Sequence, residues 1–271
     1  MKNCGLIYNQ PLGNNLVIFE NIRFRNEFHM KNLVISDIHA NLEAFKSVLE
    51  KSGTFDAVWC LGDIVGYGPD PNACLDLLRT LPKLSCVLGN HDAAILGDMD
   101  VRLFNQEARS SIDWQRSHIS IENLSYLKNL PEKIYLQDCL LVHGSPRYPV
   151  WEYILDPFVA RANFDHFIEG YCFVGHSHQG LICRWDPSRE KMDWNSNVNG
   201  NMHKLKPRMI LNPGSVGQPR DNDHRASYGI FDDELMSWEI IRVEYSIETT
   251  QQKINDLKLP GKNAQRLAGG W

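Results

Sequence analysis

Five short strings carry side chains that bind metal ions or move protons. They are Asp37-Ile38-His39, Gly62-Asp63, Gly89-Asn90-His91-Asp92, His143-Gly144 and Gly175-His176-Ser177-His178. Taken singly, each has an ordinary reading, because a lone histidine behind a strand is more often a hydrogen-bonded structural residue than a ligand. Together they hold five of the chain's ten histidines, which is hard to dismiss. The donors are carboxylate, amide oxygen and imidazole without thiolate, a set suited to manganese, iron, zinc, nickel or cobalt. Asp37, His39, Asp63, Asn90, His143, His176 and His178 make seven donors, too many for one ion with an open position. A central carboxylate bridging two ions resolves the count, and the alternation His176-x-His178 lets neighbouring imidazoles aim at different ions.

Each string follows an apolar run: "NLVIS", "AVWCL", "LSCVL", "CLLV" and "YCFV". The runs read as buried strands. Between the first two lies a helix pattern, "NLEAFKSVLEK", with Asn41 as N-cap and Leu42, Phe45 and Leu49 on one face. "DPNACLDLLRTL" follows the second, with Asp70 as N-cap, Pro71 at the first helical position and Cys74, Leu77, Leu78 and Leu81 inward. This β-α-β-α-β order predicts a parallel sheet covered by helices. Ligands of such sheets bind beyond the carboxyl ends of the strands, where all five strings lie. Residues 93–130 read as mostly helical and the rest as mostly strands. The segment 186–204 reads as a loop-like hairpin tip, and 248–257 as a weak helix before a mobile, Gly-rich terminus. Residues 1–30 form an N-terminal extension, with "NLVIF" as an optional edge strand, and residues 31–271 one domain.

The 271 residues are 43% hydrophobic and 23% charged, with 28 basic and 33 acidic side chains and a net charge of −5. Without a basic run, long nucleic acid is excluded as a partner. No apolar stretch reaches the roughly 18 residues of a membrane span. There is no signal-peptide pattern. The seven cysteines are scattered, without a C-x-x-C pair, and read as reduced thiols of a cytoplasmic protein. The oligomeric state is not legible.

Asp-x-His, Gly-Asp, Gly-Asn-His-Asp, His and Gly-His-x-His, in this order from about Lys31 to about Tyr245, resemble the calcineurin-like metallophosphoesterase family. The resemblance implies an α/β fold, a four-layer α/β/β/α sandwich of two mixed sheets flanked by helices, as in its bacterial-type single-domain phosphodiesterases. It implies two divalent or trivalent ions, manganese foremost. Asp37, His39, Asp63 and His178 would hold one ion, and Asp63, Asn90, His143 and His176 the other. A hydroxide bridging the ions would attack phosphorus. His91 would stay off the metal and serve the leaving group as general acid. Asp92 would hydrogen-bond and orient the His91 ring, and Gly89 would let the chain turn off its strand.

The substrate signals are fewer. The family's phosphoprotein phosphatases read Gly-Asp-x-Val-Asp-Arg-Gly at the second motif, whereas this chain reads Gly62-Asp63-Ile64-Val65-Gly66-Tyr67-Gly68. Loss of that bidentate arginine points away from phosphoproteins and towards small phosphodiesters or nucleotides, dinucleoside polyphosphates included. Tyr67 is a candidate to stack on a base, against a structural role in a tight loop. Arg220, in the family-like stretch "LNPGSVGQPR", is a candidate phosphate ligand, and Trp151 and Arg147 are candidates for the mouth. The competing readings are a phosphomonoesterase or protein phosphatase, and a non-catalytic scaffold on the same fold. Intact donors oppose the scaffold.

Overall fold

The computed structural model describes residues 29–196, 198 and 200–271. The N-terminal extension, with its candidate strand "NLVIF", lies outside the described residues up to Phe28. Two mixed six-stranded sheets face each other. The first contains β1 (Lys31–Ile35), β2 (Ala57–Cys60), β3 (Leu84–Cys86), β9 (His203–Lys204), β11 (Ala226–Asp232) and β12 (Ser237–Val243), in the order β3-β2-β1-β11-β12-β9. The second contains β4 (Lys133–Leu136), β5 (Cys139–Val142), β6 (Tyr171–Phe173), β7 (Gly180–Asp186), β8 (Lys191–Asn195) and β10 (Met209–Pro213), in the order β4-β5-β6-β10-β7-β8. β1, β2 and β3 run parallel, as do β5, β6 and β10.

The two-residue period of the strands sorts their side chains between layers. In β1, Leu33 and Ile35 face the helices, whereas Val34 enters the space between the sheets. In β2, Val58 and Cys60 face the helices and Trp59 the other sheet. β5 divides likewise, with Cys139 and Leu141 between the sheets and Leu140 and Val142 on the far side. Trp59, Phe173, Phe231 and Trp238 fill the middle, with Trp59 and Phe173 edge-to-face at 5.1 Å.

Helices α1 (Leu42–Lys51), α2 (Pro71–Arg79), α3 (Asn90–Leu96), α4 (Gln106–Arg116) and α5 (Ile121–Lys128) lie on the first sheet's side, and α6 (Pro157–Asn163) on the second's. The expected four-layer sandwich is what the structure shows. Asn41 caps α1 by accepting from Ala44 N at 3.2 Å. Asp70 occupies the N-cap position of α2 but makes no capping bond, because its carboxylate accepts from Lys253 at 2.8 Å. Along α2, Pro71, Cys74, Leu75 and Leu78 are the buried positions, with Leu77, and Leu81 just beyond the helix, only partly covered.

Three expectations need correction. The segment 186–204 contributes two strands, β8 paired to β7 and β9 at the edge of the first sheet. The C-terminal segment forms two packed helices, α7 (Ile247–Asp256) and α8 (Gly261–Gly269), where a mobile end was expected. Buried Ile254, Leu259, Ala264 and Leu267 hold that pair together. Finally, the second half, expected as mostly strands, contains the helix α6, capped by Asp156, whose Oδ1 accepts from Phe158 N and Val159 N, with Pro157 at N1. Among the described residues, no helix is long and apolar enough to cross a membrane.

Candidate metal centre

The carboxyl ends of β1, β2, β3, β5 and β6 meet on one rim and bring all seven expected donors together. Each is between 0% and 3% exposed. Asp37, His39 and His178 place one ligand atom each within 4.8 Å of one another, as do Asp63, His143 and His176. Asp63 stands between the two groups, its Oδ2 3.6 Å from His39 Nε2 and 3.4 Å from His143 Nε2. Asn90 Oδ1 lies 2.9 Å from His143 Nε2. A third grouping, His39–Asp63–His91, adds His91 to the same floor.

Backbone carbonyls decide how the imidazoles point. His39 Nδ1 lies 2.9 Å from Val65 O, His143 Nδ1 2.7 Å from Leu61 O, His178 Nδ1 2.5 Å from Gln218 O and His176 Nε2 3.1 Å from Trp151 O. A carbonyl only accepts, so each of these nitrogens carries the proton, and the other nitrogen of each ring faces the acids. This is how a metal-binding histidine is held by its surroundings.

His39 Nε2 and His178 Nε2 then face each other at 3.1 Å. Burial lowers both rings well below the usual imidazole value, so both are neutral. Two lone pairs at that distance repel, and a shared cation relieves the repulsion. Asp37 Oδ1 is buried beside them, 3.3 Å from His178 Nε2, without a hydrogen-bond partner. Burial raises its carboxyl to about 7. The donor set therefore fits a metal ion. On the other side burial opposes ionisation, but the neighbouring imidazoles outweigh it and hold Asp63 below the carboxylate range. Burial likewise pulls His143 down, but Asp63 outweighs it and raises His143 to about 9. There a proton stands where a cation would go.

The Gly89-Asn90-His91-Asp92 string works differently from expectation in two respects. Asp92 makes no hydrogen bond to the His91 ring, whose Nδ1 is buried without a partner. Instead its Oδ2 accepts from Asp63 N and Gly89 N at 2.8 and 3.0 Å, and its Oδ1 from Ile64 N and Val65 N at 3.0 and 3.2 Å. Asp92 thus shapes the turn that presents Asp63. Gly89 has an ordinary φ of −93°. It must be glycine because a Cβ there would lie 2.1 Å from Asp63 Oδ1. His91 N donates to that same oxygen at 2.8 Å.

Tyr67 is 5% exposed, so its ring is not a free platform for a base. It packs against His39 and His91 at 4.9 and 4.6 Å, and its hydroxyl accepts from Arg220 Nη2 at 3.3 Å. Arg147 is held by a salt bridge to Glu152 at 2.5 Å. Trp151 contributes its carbonyl to His176, and its ring lies 5.4 Å from Phe104. Sequence reasoning missed Tyr153, which stacks on His176 at 3.6 Å and is 42% exposed. No motif marks it. It also missed Gln218, whose carbonyl orients His178.

Residues 30–234 match the calcineurin-like phosphoesterase superfamily domain. The chain is 42% identical to a metallophosphoesterase from Sphaerobacter thermophilus of known structure, over 90% of this chain and all of that one, with a TM-score of 0.83. It is 39% identical to the uncharacterized protein MJ0912 of Methanocaldococcus jannaschii, covering 86% of this chain and 96% of that protein. Over a shorter stretch, 36% of this chain and 38% of the relative, it is 32% identical to a symmetrical bis(5'-nucleosyl)-tetraphosphatase of Buchnera aphidicola. This chain belongs to the calcineurin-like phosphoesterase superfamily.

Proposed function

We propose that the rim holds two transition-metal ions, manganese foremost, and that the protein hydrolyses small phosphodiester or nucleotide substrates in the cytoplasm. Asp37, His39, Asp63 and His178 would serve one ion and Asp63, Asn90, His143 and His176 the other. The observation that carries this reading is the pair of neutral imidazoles, His39 and His178, facing lone pair to lone pair beside an unpartnered carboxylate oxygen. Bound ions supply charge neutralisation at the phosphoryl oxygens and a nucleophile at neutral pH. His91, whose ring lies beside His39 and Asp63, would give a proton to the departing oxygen. Burial, with the Arg220 and His143 charges, lowers its ring to about 4. The negative charge of an arriving phosphoester restores the protonated form. Arg220 contributes a fixed cation at the same edge.

Tyr67 in the second motif supports diester or nucleotide substrates over phosphoproteins, and the bis(5'-nucleosyl)-tetraphosphatase relative supports a nucleotide. Turnover of a panel by manganese-reconstituted protein tests this. The panel comprises an aryl diester, an aryl monoester, cyclic nucleotides, dinucleoside polyphosphates and a phosphopeptide. Diester or dinucleotide hydrolysis well above monoester is the expected result. Preference for the monoester or phosphopeptide would overturn the substrate class, and absence of bound metal with no turnover would overturn the enzyme.

A further inference from the structure

Beside the donor set, two guanidinium groups converge on one tyrosine. The Arg220 head lies 5.7 Å from the centre of the Tyr67 ring and the Arg266 head 5.8 Å. Arg220 comes from the loop after β10 and Arg266 from α8, which lies outside the residues matched to the family. Neighbouring arginines are neutralised, Arg225 by Asp223 and Arg242 by Asp221. Among the described residues, Arg220 and Arg266 have no such side-chain carboxylate. Arg220 donates to Gln218 Oε1 at 2.9 Å and to the Tyr67 hydroxyl, and its Nε is buried without a partner. Arg266 donates from Nε to Trp271 O at 2.9 Å. Glu107, the acid on the facing helix α4, pairs with Lys262 at 2.8 Å, and its charge also acts on Arg266.

The two cations step outward from the donors. Tyr67 packs on His39 at 4.9 Å, so both guanidinium groups stand one ring beyond the donors. After burial, the Arg220 charge lowers Arg266. Half-buried like charges are costly where they are only partly offset, and an anion bound by both lowers the cost. Guanidinium groups suit phosphate oxygens in particular.

We propose that Arg220 and Arg266 form a clamp for a second phosphate, next to the phosphoryl group held at the metal donors. The preferred substrates are then those with consecutive phosphates, such as nucleoside and dinucleoside polyphosphates. This rests on the phosphoesterase reading above and narrows it. The clamp is tested first without catalysis, by calorimetric titration of inorganic tripolyphosphate and of orthophosphate into the full chain freed of metal by a chelator. Tripolyphosphate should bind more tightly than orthophosphate. Arg266→Gln should weaken tripolyphosphate about tenfold, the worth of one charge-assisted hydrogen bond. Unchanged affinity in Arg266→Gln overturns the clamp.

The second arm uses manganese-loaded protein. The ratio of kcat/KM for a dinucleoside polyphosphate to that for an aryl diester should fall about tenfold in Arg266→Gln. Arg266→Lys, which keeps the charge, should recover part of it. A parallel fall on both substrates would mean that Arg266 only packs Tyr67, and would overturn the proposal. If wild-type protein turns over neither substrate, the phosphoesterase reading fails while the titration still decides the clamp.

Discussion

The same strands build two regions of opposite character only a few residues apart. Between the sheets, Val34, Trp59, Phe173, Phe231 and Trp238 pack an apolar interior, and their backbones keep the regular strand period. At the rim the chain abandons that geometry. Five of the seven donors are non-glycine residues in the left-handed region: Asp37 (φ 54°), His39 (48°), Asp63 (53°), His176 (63°) and His178 (59°). Such residues cost about 1 kcal/mol each and persist only where their surroundings over-determine them. At the rim those surroundings are backbone bonds across the loops. Asp37 N donates to Gly62 O, His39 N to Asp63 O and Gly217 N to Asp37 O, each near 3.0 Å. The interior supplies the stability, and the rim uses it to hold polar groups where they are least comfortable.

If that division is right, changes in the two regions should fail in different assays. The largest effect belongs to Asp63→Asn, which should lose at least one metal and cut turnover by more than about 100-fold, beyond what an outer supporting residue costs. Metal analysis beside the rate checks it, and two ions at full occupancy would refute the bridging role. Phe173→Ala should instead lower stability by about 3–5 kcal/mol through the cavity it leaves. The metal content of the remaining folded fraction should hold. A metal loss in that variant at low temperature would show that the two regions are not separable.

How much of this was legible beforehand follows the same boundary. Strand and helix periods lie within a few residues of one another, so the β-α-β-α-β half and the seven side chains gathered at the rim were readable from the string. The left-handed donors were not, because nothing local marks Asp37 or His176 for a conformation that loops 25 to 180 residues away enforce. Asp92 was misassigned for the same reason. Its four N–H partners come mostly from Asp63, Ile64 and Val65, a turn 27 to 29 residues back in the chain. The helix α6 does carry a local signal, Asp156 before Pro157. The helix α8 carried a weak one, since its burial is defined by α7 and by Asn263, which donates to Tyr67 O at 3.2 Å.

His91→Ala separates chemistry from metal binding within the rim. It should keep both metals and lose about 100-fold in turnover, the lower end of general-acid assistance. Equal rates would remove His91 from the reaction. Asp92→Asn sharpens the comparison from the structural side. An amide presents its own N–H groups to backbone donors that need an acceptor, and a lost buried partner costs about 1–3 kcal/mol. The melting temperature should fall. The pH dependence of turnover should keep its shape, whereas a displaced acidic or basic limb would restore the direct partnership with His91.

The smallest effect is the most diagnostic of a rim that trades stability for binding. Burial raises Asp37 from 3.8 in the unfolded chain to about 7 in the folded one. Its ionised form is therefore penalised by folding. The penalty is absent below pH 3.8, grows as pH rises, and is complete above about pH 7. Asp37→Asn removes it. In excess chelator the variant should melt above wild type at pH 8, by roughly 3 °C or more, and the two should converge towards pH 4. Excess manganese should reverse the order at pH 8, because a ligand bound only by the native state stabilises it and the variant has lost a donor. A variant that melts below wild type in chelator at pH 8 would mean that Asp37 is held for the fold itself, and the division between interior and rim would fail at its most buried carboxylate.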